Sequence, residues 1–112
     1  MVKSNYVPEK GDLVWLDFDP QVGHEQKGRR PAICVSLKKY NQKIGLALFC
    51  PITSQVKSYP FEIVLEKHSI NGCILSDQVK NLDWAQRNCN FIEKAMEEEI
   101  NAVVENIKLV IE

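Results

Sequence analysis

The sequence has no CxxC pair, no HExxH and no acidic cluster at metal-ligand spacing, so a metal centre has little support. It also lacks GxxxxGKS/T and GxGxxG, which argues against the nucleotide-cofactor folds. No apolar stretch approaches the ~18–20 residues of a membrane span. The N-terminal MVKSNYVPEKGD has no apolar signal-peptide core, and a cytoplasmic protein without membrane contact is expected. The four cysteines, Cys34, Cys50, Cys73 and Cys89, are widely spaced and read as reduced. Three lie inside apolar runs and are expected to be buried structural thiols, while Cys89, in the polar stretch RNCN, is a candidate for exposure. With only 5 Gly and 5 Pro among 112 residues, and 45% hydrophobic against 26% charged, disorder, collagen-like repeats and a disulfide mini-scaffold are excluded. What remains is one globular domain over 1–112.

The net charge of −1 argues at first sight against a polyanion partner, but the charge is unevenly spread. Residues 21–80 carry nine bases against four acids, whereas 81–112 carry three bases against seven acids. A basic centre therefore lies between acidic ends, which leaves room for an anion-binding middle.

The hydrophobic pattern is mostly that of strands. DLVWLDF (12–18) is short, aromatic and β-branched; AICVSL (32–37) and IGLALFC (44–50) are continuous apolar runs of strands buried on both faces. FEIVLE (61–66) alternates, with Phe61, Ile63 and Leu65 on one face. GCILSDQVK (72–80) is read as one further strand after an Asn71-Gly72 turn, and a short strand is placed near 90–92. KKYNQK (38–43) has the composition of one helical turn. The period changes at the end: Ile100, Val103, Val104, Ile107, Val110 and Ile111 form one helical stripe, with Glu97, Glu98 and Glu99 suited to the first turns. The expectation is a small, partly closed antiparallel β-barrel with a C-terminal helix packed against it.

Three segments could carry chemistry. The first is the loop QVGHEQKGRR, where His24, Glu25, Lys27, Arg29 and Arg30 are flanked by Gly23 and Gly28. Cations there supply phosphate donors, a carboxylate among them can act as a base, and a fixed guanidinium can steady developing charge. On composition alone an ordinary solvated hairpin loop, with Glu25 paired to Arg29 or Arg30, is the favoured reading. The second is CPITSQVKSYP, where Thr53, Ser54, Lys57 and Tyr59 suit a phosphate and an unstacked base, or simply form a polar turn. In the third, Asp77 and Gln78 interrupt an apolar strand before Lys80, and they either read base edges or satisfy nearby backbone amides. Lone loop histidines such as His24 and His68 are expected to be solvated, and Trp15 and Trp84 to be core or interface aromatics.

The ordered segments YVPEKGDLVWLDFDP, GHEQKGRRPAICVS, PITSQVKSYPFEIVL and GCILSDQVKNLDW resemble the MazF/PemK family of toxin endoribonucleases, most closely its MazF branch. Beyond Trp84 the resemblance is limited to an amphipathic terminal helix. It implies an SH3-like barrel of the CcdB/MazF type, a homodimer, and cleavage of single-stranded RNA with no cofactor or metal. It places Arg30 and Thr53 at catalytic positions, with Glu25 in the G-x-E-Q loop linked to activity. Lys57, Asp77, Gln78 and Lys80 match the RNA-contacting surface; His24, Lys27, Arg29, Ser54 and Tyr59 complete the candidate contacts. His24 and Arg29 depart from the family pattern. The implied reaction is attack of the RNA's own 2′-OH on the adjacent phosphorus, leaving 2′,3′-cyclic phosphate and 5′-OH ends. The implied partners are a second copy, with the 44–50 run and terminal helix as contributors, and an antitoxin whose acidic, partly disordered C-terminal tail covers the basic loop. Operator DNA would be touched only through that complex. A CcdB-like gyrase poison shares the fold, but that class uses a C-terminal Trp-Gly-Ile and this chain has no Trp after 84. A non-catalytic SH3-like module would not need the ordered motifs.

Overall fold

The computed structural model describes residues 5–18 and 28–112. In these, the elements run β1 (Asp12–Asp17), β2 (Arg29–Cys34), α1 (Lys38–Ile44), β3 (Ala47–Thr53), β4 (Glu62–Val64), β5 (Cys73–Leu75), β6 (Lys80–Leu82), β7 (Asn90–Lys94) and α2 (Glu97–Ile111). All pairings are antiparallel, along the path β4-β5-β3-β2-β1-β7, with β6 also on β3. β3 is shared lengthwise: Ala47–Phe49 pair with β6, and Ile52 and Thr53 with β5. The end strands β4 and β7 do not pair with each other, so the seven-stranded sheet stays open, in keeping with the partly closed barrel expected.

The continuous apolar runs are strands only in part: β2 ends at Cys34 and β3 begins at Ala47, and these portions are largely buried on both faces, whereas Leu37, just before α1, and Ile44, at its end, are exposed. Leu13, Ile33, Cys50 and Ile52 form one core with Leu65, Ile74, Ile100 and Val103, whereas Val14, Leu16, Ala32, Cys34, Ala47 and Phe49 form a second. Because strand side chains alternate, neighbouring residues in β1, β2 and β3 serve opposite cores. Burial of Ala47, Phe49 and Cys50 inside the subunit leaves Ile44, at the end of α1, as the exposed large apolar residue of the 44–50 run. Leu46 and Leu48 of the same run are half-buried.

α2 begins with Glu97, Glu98 and Glu99, and Glu99 Oε1 accepts the Met96 backbone N–H at 2.8 Å, satisfying an orphan donor of the first turn. Ile100, Val103, Val104 and Ile107 pack on the first core, but Val110 and Ile111 are exposed, so the apolar stripe outlasts the surface it covers. α1 ends at Gly45, whose φ of +84° is the left-handed closure expected of a helix C-terminus. Its fully buried Asn41 donates to Pro8 O at 2.7 Å and Ser36 O at 3.2 Å, and accepts from Ser36 Oγ at 2.5 Å. Trp84 Nε1 donates to Asn41 O at 3.2 Å, which ties the second core to α1. Cys89 is half-buried against that core, correcting its expected exposure.

The single strand expected over 72–80 is two. After β5, Gln78 N donates to Leu75 O at 3.1 Å and the chain turns before β6. The interruption falls at Asp77-Gln78, where the apolar run breaks. β2 begins three residues earlier than its apolar run, at Arg29, because pairing with β1 matches Leu16 to Arg30 and Asp17 to Arg29.

Candidate active site

The pairing of β2 with β3 matches Ala32 to Pro51 and Ile33 to Cys50. The β2–β3 ladder ends there: Arg30 of β2 is matched to Leu16 of β1, and Thr53, at the end of β3, pairs with Cys73 of β5. Arg30 and Thr53 both line one cleft of about 380 Å³, together with Trp15, Pro31, Ile52, Ser54, Ile70 and Asn71. Arg30 is exposed, and no hydrogen bond or ion pair ties its guanidinium to another described residue. A cation in a concave site with no counter-ion among the described residues is available to an anion from solution.

A second cleft of about 560 Å³ shares Thr53 and is lined by Gln55, Lys57, Ser58, Tyr59, Pro60, Glu62, Leu75 and Gln78. Lys57 N donates to Glu62 Oε2 at 3.0 Å and Gln55 N to Thr53 Oγ1 at 3.2 Å, so the β3–β4 connection is folded on itself by its own polar groups. Tyr59 OH donates to Asp77 Oδ2 at 2.6 Å, and that bond, helped by the carboxylate charge, moves the phenol pKa up. Asp77 thus holds Tyr59 rather than nearby backbone amides, and its Oδ1 is buried with no hydrogen-bond partner among the described residues. Gln78 reaches the cleft itself.

Of the other sequence candidates, Arg29 leaves the group: Nη1 lies 3.0 Å from Asp17 Oδ1. A hydrogen bond from Asn88 and this guanidinium together hold the Asp17 carboxyl below its ordinary range. Lys80 lines neither cleft and places its ammonium 5.7 Å from the centre of the Phe18 ring. His24, Glu25 and Lys27 lie outside the described residues. Among the described residues no three His, Cys, Asp or Glu side chains are grouped to hold a metal ion. The cysteines offer no nucleophile either: burial pushes the Cys34 thiol up to about 11 and those of Cys50 and Cys89 up to about 12.

Several residues of the site were not singled out from the sequence for this role. Trp15 is exposed on the cleft wall, and alternation against Val14 and Leu16 was the available signal. Ile70, Asn71 and Gly72 belong to the connection between β4 and β5. Gly72 sits at φ +128°, and a Cβ there would lie 2.2 Å from Thr53 O, so only glycine lets this connection approach the Thr53 backbone so closely. His68 corrects the expectation of a solvated histidine: its side chain is 4% exposed. Its Nε2 lies 2.8 Å from Glu99 Oε1, and its Nδ1 is bound to Glu93 Oε2. Burial pulls the imidazole pKa down, but the bonds and charges of Glu93 and Glu99 more than offset it, and the net shift is upward.

Residues 9–111 match the family model described as PemK-like, MazF-like toxin of type II toxin-antitoxin system. The chain is 44% identical over 108 residues to the endoribonuclease toxin MazF of Escherichia coli (strain K12), spanning 96% of this chain and 97% of that protein. A crystal structure of MazF from Deinococcus radiodurans superposes with a TM-score of 0.87 at 41% identity, covering 96% of this chain and 98% of the other. MazF in a MazE-MazF crystal structure from the same organism gives 0.89 at 42% identity, with 96% and 97% covered. On a family match over nearly its whole length, this chain belongs to the PemK-like, MazF-like toxins of type II toxin-antitoxin systems.

Proposed function

We propose that the chain is an endoribonuclease toxin that cleaves single-stranded RNA by internal transesterification in the Arg30/Thr53 cleft. The observation that carries this reading is the meeting of Arg30 and Thr53, 23 positions apart in sequence, on paired strands at one cleft. The relatives' names, endoribonuclease toxin MazF and endoribonuclease toxin ChpB, support the activity.

In this mechanism the nucleophile is the substrate's 2′-OH, so the protein supplies orientation, charge stabilisation and proton transfer. The Arg30 guanidinium binds the scissile phosphate and stabilises the charge that builds on its non-bridging oxygens. Thr53 Oγ1 donates to one of those oxygens; its acceptor side already takes the Gln55 N–H, which orients the hydroxyl. Glu25 acts as the auxiliary base or orients Arg30. An exposed Trp15 offers a stacking face beside the phosphate. The second cleft holds the neighbouring nucleotide, with Lys57 on its phosphate and Tyr59, Gln78 and Ser54 on its base. Asp77 acts through Tyr59, and His24, Lys27, Arg29 and Lys80 are further RNA contacts. DNA lacks the nucleophile and binds without being cut.

The toxin pairs with a cognate antitoxin, as MazF does in the MazE-MazF structures. The antitoxin's acidic tail lies over the basic loop before Pro31, and operator DNA is reached only through that complex. The toxin is a homodimer, and exposed Leu109, Val110 and Ile111 at the end of α2 contribute to its interface. It works in the cytoplasm; no helix among the described residues is long and apolar enough to cross a membrane.

Single-turnover cleavage of a mixed-sequence RNA by Arg30→Ala tests the assignment. Losing a positioned, charge-stabilising donor is expected to cost on the order of 10²–10³-fold in rate, with the circular dichroism spectrum unchanged. Wild-type cleavage by the folded variant would overturn it.

A further inference from the structure

The connection 66–72 between β4 and β5 joins two features that the RNA-cleaving reading leaves separate. At its start, Lys67 is held at φ +63°, a left-handed conformation rare for a residue with a Cβ. In its middle, His68 is buried and clasped by Glu93 of β7 and Glu99 of α2. Ser69 reinforces the same anchor, its Oγ donating to Glu93 Oε1 at 2.8 Å. At its end, Ile70 and Asn71 form one wall of the Arg30/Thr53 cleft, and Gly72 abuts the Thr53 backbone.

We propose that His68 is a positioning residue of the active site: clasped between Glu93 and Glu99, it fixes the connection whose far end walls the cleft and sets Thr53. The proposal rests on the assignment of RNA cleavage to that cleft.

The chemistry of the clasp makes it depend on the proton. An imidazolium donates from both ring nitrogens, one to each carboxylate. A neutral imidazole has a single N–H, so its other nitrogen would turn a lone pair toward a carboxylate, and one of the two contacts must open. Glu99 is buried and also bound to the Met96 N–H, whereas Glu93 is partly exposed. The Glu93 contact is therefore the one released to solvent. The groups facing the ring are those two acids. Glu66 and Lys67 on the connection are exposed; Lys94 of β7 is engaged by Glu9 and Asp12; and Glu97 and Glu98 of α2 are exposed. The upward shift of the His68 pKa agrees with a ring held charged by both partners.

The test follows backbone amides and activity together across pH. In labelled protein, the amide resonances of Ile70, Asn71, Gly72 and Thr53 are expected to titrate with the midpoint of the His68 imidazole, above the ordinary histidine value of about 6.5. On a single-stranded RNA oligonucleotide, kcat/KM is expected to fall about tenfold through the same midpoint to a lower plateau. E93Q removes one of the two charges from a partly exposed position, so it should move both midpoints downward while the protein stays folded. H68Q should abolish that limb and remain at the lower plateau; if it does not fold, E93Q alone decides. A limb that E93Q leaves in place, as one belonging to His24 would be, overturns the proposal. So do Asn71 and Thr53 amides that ignore the His68 titration. If the wild type cuts no RNA, the cleavage reading fails, and the amide titration still decides whether His68 sets Thr53.

Discussion

Gly72→Ala is the substitution whose consequence is most directly calculable. The new Cβ would lie 2.2 Å from Thr53 O, 2.9 Å from Thr53 C and 3.2 Å from Ser54 Cα. All three are backbone atoms, so no side chain can rotate away. Reaching an ordinary contact of 3.4 Å requires a backbone shift of about 1.2 Å, shared between the β4–β5 connection and the end of β3. Overpacking of this kind costs about 1–3 kcal/mol, and a non-glycine residue at φ +128° adds about 1–3 kcal/mol of strain. A destabilisation of about 2–6 kcal/mol is therefore expected by urea unfolding. The effect on activity should exceed the effect on folding, because the shift falls on Thr53, and a misplacement near 1 Å costs on the order of 10²-fold in rate. Gly45→Ala is the matched control: its φ of +84° is also left-handed, but a Cβ there meets nothing within 4 Å. It should lose about 1–2 kcal/mol and cleave RNA normally. The assay is single-turnover cleavage at a temperature where both variants are folded. Equal rates for the two alanine variants would refute the claim that Gly72 exists to let the connection close on Thr53.

Two further outcomes follow from buried polar groups. Asn41→Ala removes the shared partner of Pro8, Ser36 and Cys34, and with about 1–3 kcal/mol for each stranded group a loss of at least about 3 kcal/mol is expected by urea unfolding; a loss under about 1 kcal/mol would contradict its role as the hub of α1. His68 has a folded pKa above its unfolded one, so protonation favours the folded state. The stability of wild type over H68Q should be fully present below about pH 6.5 and vanish as pH rises through the folded pKa; a difference that grows with pH would contradict the clasp.

The sequence made most of the framework legible because its signals were local. Continuous apolar runs marked strands with two buried faces, and the change of period at Ile100 marked the helix that covers one of them. Arg30 and Thr53 were legible only through ordered motifs, since composition alone favoured a solvated loop, and their meeting depends on a strand pairing no short window encodes. Other misses share one cause: a partner distant in the chain decides the local outcome. His68 reads as a solvated loop residue until Glu93 and Glu99 close on it. Gly72 reads as half of a common turn until Thr53 is seen behind it. The run 72–80 reads as one strand until Asp77 is found bound to Tyr59. Arg29 reads as a free phosphate donor until Asp17, across the β1–β2 pair, takes it.

The central claim, that the RNA supplies its own nucleophile in the Arg30/Thr53 cleft, is tested most directly by one oligonucleotide pair. An RNA carrying the cleaved step is compared with the same strand bearing a single 2′-deoxy sugar on the 5′ side of that step, and the product ends are identified by mass spectrometry. The account predicts a 2′,3′-cyclic phosphate and a 5′-OH from the first, and from the second, binding of similar strength with no cut at that position. Cleavage of the deoxy strand at the same step, or a 3′-OH product, would contradict it.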